Sequence, residues 1–465
     1  MILALTLLLA QYDVVLANGR LIDPESRTDA IRWVGIRGGK IAAISPTALR
    51  GTVVLDASGQ VIAPGFIDMH AHGHNDESYR LYAMNGVTTA LELEAGTADV
   101  PAWYAARDGK SLLNYGVTSS HLQSRARVFN DPGQFLPTGP GANDIATPEQ
   151  IATIVERVKA GLRQGGLGVG MGLQYTPGAS QWEVLETFRA AAAAKAPVFV
   201  HTRSWGTTDP GSSVESFMEV IGAAAITGAP LHIVHLNSMS LAQTPLTLKL
   251  VEEARARGFD VTTEAYPYSA GMTRIESALF DRFVNAPDSM YQKIMWVETG
   301  ERMTRETFEK FREQGGGAIL FLNTPEMEAM AIASPLTAIA SDGGIEGGKG
   351  HPRSSGTYAR VLGHYVREAK AITLTEAIRK MALMPAQRLE KIAPQFRGKG
   401  RIKVGADADI AVFDPNTVID KATYQSPATP AVGFRHVLVN GVPVVKDGTI
   451  VSGVFPGRAA RAPIR

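Results

Sequence analysis

The sequence predicts an α/β protein: a parallel (β/α)8 barrel with an inserted lid subdomain and a small β-sandwich domain assembled from both ends of the chain. Three observations lead there. Apolar strand-like runs alternate with helical stretches from about residue 65 to 400, which is the grammar of repeated βα units closing on themselves. Short β-branched runs broken by Asn-Gly, Gly-Gly and Ser-Gly turns open the chain and return at its far end. With 465 residues, 45% of them hydrophobic and 20% charged, the chain is long enough for a catalytic-size barrel plus a smaller domain.

In chain order, MILALTLLLA (1–10) is nearly pure apolar text. It is too short to span a bilayer and reads as the hydrophobic part of a signal segment, which makes an exported or periplasmic location the expectation; a buried first strand is the alternative. Residues 11–64 then read YDVVLANGRLIDP, WVGIRGGKIAAIS and TVVLDASGQVIAPG, an antiparallel pattern that pairs with GADADIAVFDP and GFRHVLVNGVPVVKDGTIV in 401–465. Between them, 65–400 carries the TIM-like barrel. Its strand candidates include GVTTALELE, GVTSSHL, LGVGMGLQY, PVFVHTR, PLHIVHLN, FDVTTEAYPY and LTAIASDGG, and its helices include PEQIATIVERVKAGLRQ and WEVLETFRAAAAAK. From Thr273 to Ser334 the alternation breaks into an irregular insert, read as a lid over the barrel mouth. The Gly-rich run Gly165–Gly172 lacks the Gly-Lys-Ser/Thr ending of a phosphate loop and is better read as a tightly packed barrel strand.

Charge and composition exclude several functions. With 46 Lys+Arg against 45 Asp+Glu the net charge is +1, which leaves no basic field to hold a nucleic acid. Beyond the first ten residues no segment suggests membrane insertion, so a small-molecule substrate is the expected partner; nothing in the pattern specifies an oligomeric state. The absence of cysteine rules out a disulfide, a thiolate nucleophile and a zinc ribbon, so any metal chemistry rests on His, Asp and Glu.

Active sites of such barrels sit at the C-terminal ends of the strands, and four strand candidates end in metal-type ligands. GFIDMHAH ends in His70-Ala71-His72, where the period of two points both imidazoles to one side. PVFVHTR and PLHIVHLN end in His201 and His235, and TAIASDG ends in Asp342. Each alone reads as an ordinary hydrogen-bonded core or rim residue; four strands all ending in metal-type ligands point to metal binding.

GFIDMHAH, GVTT, the two isolated strand-end histidines, SDG and GADADIAVFDP resemble the amidohydrolase superfamily, and EAYPYSAGMT and HPRSSGTYARVLGHYVRE resemble its N-acyl-D-amino-acid deacylase (D-aminoacylase) branch, over nearly the whole chain from Tyr12. The resemblance implies hydrolysis of the amide bond of N-acyl-D-amino acids, with one or two zinc ions per subunit. It assigns His70, His72 and Asp342 to one metal site and His201 and His235 to the other. Asp342 becomes the general base that takes a proton from the attacking water and hands it to the departing amine. A related hydrolase acting on peptides, lactams or hydrophobic amides, and a non-catalytic ligand-binding barrel, are the alternatives.

The chain departs from that pattern in places. The branch's strand-two cysteine is Ala95 here, and PVFVHTR, LGVGMGLQY and GVTSSHL hold no lysine that could be carboxylated, as hydantoinase- or dihydroorotase-type sites require. Glu94 is the preferred substitute ligand and Glu92 the alternative. Strict alternation points Ala95 inward instead, so Glu94 needs a bulge between Leu93 and Gly96; otherwise both acids pair with a base such as Arg203. Two positions that grip the substrate carboxylate in the branch, a lysine and a serine, read Asn237 and Met272 here, and both are carried as candidate substrate contacts. Tyr266 and Arg353 remain, Arg353 in a Pro-flanked loop that nothing helical holds. His121, ending GVTSSH, is placed to aid the oxyanion or the metal. His74 and His232 read as supporting or structural, and His364 and His436 as packing or surface residues.

Overall fold

The computed structural model describes residues 11–133 and 135–465; the apolar segment 1–10 lies outside the described residues. Eight parallel strands hydrogen-bond in chain order: β1 (Phe66–Asp68), β2 (Val87–Thr97), β3 (Asn114–Ser120), β4 (Val169–Gly172), β5 (Val198–His201), β6 (Leu231–Ile233), β7 (Val261–Ala265) and β8 (Thr337–Ile339). Helices cover the outside. That is why β5 and β6 are buried at every residue and read as continuous apolar runs, not as alternating ones. The seam between β1 and β8 closes just past the strand ends, where the His72 amide donates to Gly343 O at 2.8 Å and the Ser341 amide to Asp68 Oδ1 at 3.0 Å. Local signals set the helix boundaries. Thr147 and Gln150 form a reciprocal capping box ahead of Pro148–Arg163, and Ser180 caps Gln181–Ala194.

Both chain ends build one nine-stranded sheet. It branches at Tyr12–Asp23, which pairs with Thr28–Arg37, Gly51–Asp56 and Val61–Pro64, and the C-terminal strand Ile410–Phe413 joins antiparallel to Val61–Pro64. Leu16, Val34, Ile36, Leu55, Ile62, Ile410, Val412 and Leu438 fill a single core between its layers. The Asn-Gly turn predicted in VLVNGVPVV is a tight hairpin, Asn440 at φ +49° and Gly441 at φ +81° joining Val439 to Val442.

The insert after β7 is more regular than its sequence suggests. It holds a three-stranded antiparallel sheet of Ala270–Arg274, Ile294–Trp296 and Gly317–Phe321. Its first strand starts ahead of Thr273, because Ala270 already pairs with Phe321 and Gly271 with Leu320. An aromatic core of Phe280, Phe283, Tyr291, Trp296 and Phe308 packs behind it.

Candidate metal centre and substrate cleft

The C-terminal strand ends bring six of the predicted side chains together: His70 and His72 past β1, Glu94 from β2, His201 ending β5, His235 past β6 and Asp342 past β8. The strand-two acid reaches them through the bulge it requires. The β2–β3 register shifts between Glu92 and Thr97, and Gly96 sits at φ +65°. A Cβ at Gly96 would lie 2.4 Å from Thr118 Oγ1, so only glycine fits there. Ala95 is instead buried in an apolar core that also holds Leu122 and Tyr175.

Glu94 occupies the middle. Its Oε2 lies 3.2 Å from Nε2 of both His70 and His72, and its Oε1 lies 2.7 Å from His201 Nδ1 and 3.4 Å from His235 Nε2. Asp342 Oδ1 is 3.4 Å from His70 Nε2 and 3.3 Å from His72 Nε2. The outer nitrogens have partners of their own: His70 Nδ1 meets Glu264 Oε1 at 2.6 Å, His72 Nδ1 meets Glu92 Oε2 at 2.9 Å, and His201 Nε2 meets Gln174 Oε1 at 2.8 Å. Neutral rings that donate to these oxygens turn bare lone pairs inward, so that His70 and His72 face one another Nε2 to Nε2 at 3.1 Å. Two lone pairs at that distance repel unless a proton or a metal cation lies between them. The donor set, imidazole nitrogen and carboxylate oxygen only, fits a dication such as zinc.

The electrostatics agree. Burial disfavours a charged His70, yet Asp342, Glu94 and Glu264 overrule it and push it up to about 10. Burial likewise opposes ionisation of Glu94, while the surrounding imidazoles hold its carboxyl well below the ordinary range. Asp342 is held low against its burial by Arg353 and His70. His72 is raised as well, while burial and His235 push His201 down to about 4, so the excess of negative charge that suits a cation is concentrated at the His70–His72 side. Two cluster residues are also held in the left-handed region, His235 at φ +28° and Asp342 at φ +51°, a strain of about 1–3 kcal/mol each that tends to gather at functional sites.

The remaining predicted residues divide. Tyr266 and Met272 line the cleft beside the cluster. Arg353 is not on a free loop: it is the first residue of the helix Arg353–Arg360, set by Pro352, and it is 2% exposed. Its Nη1 lies 2.9 Å from Asp342 Oδ2, its Nη2 donates to Met272 O at 3.2 Å, and its guanidinium stacks 4.6 Å over the Tyr266 ring. Asn237 is turned away from the cleft. Its amide exchanges hydrogen bonds with the Tyr266 backbone at 3.1 and 3.4 Å, so it braces β7 and the expectation of a substrate contact is withdrawn. His121 is withdrawn too: it is buried against Glu183 at 2.8 Å, where Arg125 also pairs, and it is neither in the ligand cluster nor among the residues lining the cleft. Glu92 orients His72 and does not pair with Arg203, which binds Glu219. His74 hydrogen-bonds Tyr79 and Ala71 O, while His364 is exposed beside Glu368 and His436 is buried in the β domain.

Three supporting residues escaped the sequence reading. Glu264 joins His70 to His232 Nε2, 3.0 Å from its second oxygen; Gln174 fixes His201; Asp68 ties the His70 amide at 3.1 Å to the β8 end. Glu264 has a signal in the sequence, an acid next to the end of the run FDVTTEA on the same parity as Thr262. Beyond the cluster, Trp205, Met239, Leu241, Leu279, Leu320 and Leu322 make the cleft walls largely apolar, the last three contributed by the insert.

A barrel whose strand ends present this cluster, beside a cleft sized for a small molecule, defines a metal-dependent hydrolase. The model of the amidohydrolase family matches residues 53–445, and the chain belongs to that family and acts on amide bonds. It is 31% identical to a D-aminoacylase of Alcaligenes xylosoxydans xylosoxydans over 96% of this chain and 97% of the relative, and 30% identical to that organism's N-acyl-D-glutamate deacylase over 93% and 94%. Among solved structures, N-acyl-D-glutamate deacylase from Bordetella bronchiseptica, complexed with zinc and a phosphonate inhibitor, superposes with a TM-score of 0.81 at 26% identity, covering 97% of this chain and 100% of that one. A D-aminoacylase structure gives the same TM-score over 96% and 99%. Among the described residues no helix is long and apolar enough to cross a membrane.

Proposed function

We propose that this amidohydrolase removes the acyl group from N-acyl-D-amino acids bearing apolar substituents, with zinc held by His70, His72, Glu94, His201, His235 and Asp342. One observation carries the reading. Gly271 lines the cleft, and a Cβ there would stand 3.2 Å from the Tyr266 hydroxyl and 4.0 Å from Arg353 Nη1. Its missing side chain opens a window through which a phenol and a guanidinium reach a substrate carboxylate, beside Asp342 and against apolar walls.

When bound, zinc supplies Lewis-acid polarisation of the amide carbonyl and lowers the pKa of water toward about 7. The chain's own groups do the rest. Asp342, kept ionised by Arg353, accepts the proton of the attacking water and returns it to the leaving nitrogen. Glu264, Glu92 and Gln174 fix the imidazole tautomers. The insert's Leu279, Leu320 and Leu322 exclude water from the acyl and side-chain groups.

The test is a kinetic panel of N-acetyl-D-leucine, -phenylalanine, -methionine and -glutamate, their L enantiomers, and the carboxamides of the D compounds. The apolar D acids should have the highest kcat/KM. A second reading, hydrolysis of hydrophobic amides without a carboxylate, is favoured by Arg353's existing engagement with Asp342 and by Asn237 facing away. Carboxamides turned over as well as the acids would establish it and sink the first.

A further inference from the structure

The helix that carries Arg353 starts after Pro352, which has no side-chain acceptor to offer the amides of the first turn. Those amides are satisfied from one residue further back. His351 Nδ1 accepts from the Arg353 amide at 3.0 Å, and the His351 carbonyl accepts from the Ser354 amide at 3.1 Å. Because Nδ1 accepts, the ring carries its proton on Nε2. Burial, with the Arg353 guanidinium nearby, holds its pKa well below the usual range and keeps it neutral.

His351 is buried and is not among the residues lining the cleft. Its ring is held nearly perpendicular to two tyrosines, Tyr268 just past β7 at 5.5 Å and Tyr424 from the C-terminal part of the chain at 5.1 Å. The same two segments press on the helix. Ser355 Oγ donates to Pro427 O at 2.6 Å, and a Cβ at Gly356 would lie 2.7 Å from Asp420 Cβ and closer still to the Tyr268 hydroxyl. An apolar side chain would fill the ring's space without burying a polar nitrogen, and Nε2 has no hydrogen-bond partner among the described residues. What the imidazole adds is the Nδ1 lone pair, directed at the backbone of Arg353.

We propose that His351 is a positioning residue for substrate selection, fixing the Arg353 backbone so that the guanidinium stands at the Gly271 window, a role that rests on Arg353 receiving the substrate carboxylate. His351 itself touches no substrate. The guanidinium meets three partners at once, Asp342 Oδ2 at 2.9 Å, Met272 O at 3.2 Å and the Tyr266 ring at 4.6 Å, so its aim depends on where its backbone is held. Misplacement of a positioning group by about 1 Å can cost about 10²-fold, and a substrate without a carboxylate is spared that loss.

The test compares metal-loaded full-length wild type, His351→Leu and His351→Asn on N-acetyl-D-leucine and its carboxamide. Leucine fills the space and offers no acceptor, whereas asparagine fills it less well but its Oδ1 can accept from the amide two residues on. His351→Leu should raise KM for the acid about tenfold and leave metal content and KM for the carboxamide unchanged, and His351→Asn should hold the acid KM within about threefold of wild type. A packing role alone gives the reverse order, leucine tolerated and asparagine not. That order overturns the proposal, as does an equal rise on both substrates. A wild type that makes no KM distinction between acid and carboxamide removes Arg353 from the substrate carboxylate and takes the proposal with it, whatever the variants do. If His351→Leu does not fold, His351→Asn decides alone: an acid KM near wild type upholds the proposal, and a rise of about tenfold overturns it.

Discussion

Replacing Glu94 by glutamine exchanges one carboxylate oxygen for an amide NH2 and removes one charge from the middle of the cluster. Each oxygen now faces two imidazole nitrogens, at 3.2 and 3.2 Å on one side and 2.7 and 3.4 Å on the other. The amide can offer an acceptor to one side only, and on the other its N–H donates to the lone pairs that a cation needs. The lost charge is the larger effect. A unit pair at about 4 Å in an effective dielectric of about 20 is worth about 4 kcal/mol. Crediting only one unit of a dication's charge, metal affinity falls at least about 10³-fold. The assay is metal content by mass spectrometry after dialysis against graded chelator, with circular dichroism to verify the fold and Glu92→Gln as comparator. Within the cluster Glu92 touches only the outer nitrogen of His72, its other oxygen accepting from the Ala95 amide, so its variant should lose about 10- to 100-fold and stay loaded without chelator. A Glu94→Gln protein holding its full complement at chelator levels that wild type just withstands would refute the ligand assignment.

Other expectations follow from the same geometry. Asp342→Asn should retain metal at the Glu94–His201–His235 side while kcat drops by about 10²- to 10⁴-fold; near-normal turnover would remove it as the proton carrier. Arg353→Ala should raise KM for N-acyl-D-amino acids and leave KM for their carboxamides unchanged, measured as paired steady-state constants; equal rises would make the arginine structural. Glu264→Ala, which strands His70 Nδ1, should weaken metal binding by about 10- to 100-fold, and Glu264→Gln should recover most of that, because an amide can accept from His70 and donate to His232. Glu183→Gln breaks a buried ion pair and should cost about 3 kcal/mol at pH 7 in denaturant melts. Burial pushes Glu183 up but His121 and Arg125 hold it below the ordinary 4.5, so its contribution is present above that pH and lost as pH falls through the native value; the gap from wild type should close in acid.

The sequence by itself determined the barrel, the pairing of the chain ends and five of the six clustered residues. Alternating βα text, Asn-Gly turns and imidazoles at strand ends are all local patterns, and strand periodicity converts them directly into facing. Glu94 was legible only conditionally. Alternation points to Ala95, and Glu94 can take its place only with a bulge; the structure supplies it at Gly96, held in place by the close approach of Thr118.

What only the tertiary structure decided were contacts between residues far apart in the chain. Asn237 and His121 carry the right chemistry at the right strand ends, yet one turns to the Tyr266 backbone and the other to Glu183 on a neighbouring helix, partners that no local pattern announces. Glu264 reaches His70 across 194 positions, and Arg353 reaches Asp342 from the start of a helix that Pro352 conceals as a loop. Spacing along a strand fixes which way a side chain points, but what it meets there is set by barrel closure. Closure brings β1, β2, β7 and β8 around one axis and so decides which acids, bases and lone pairs share the space.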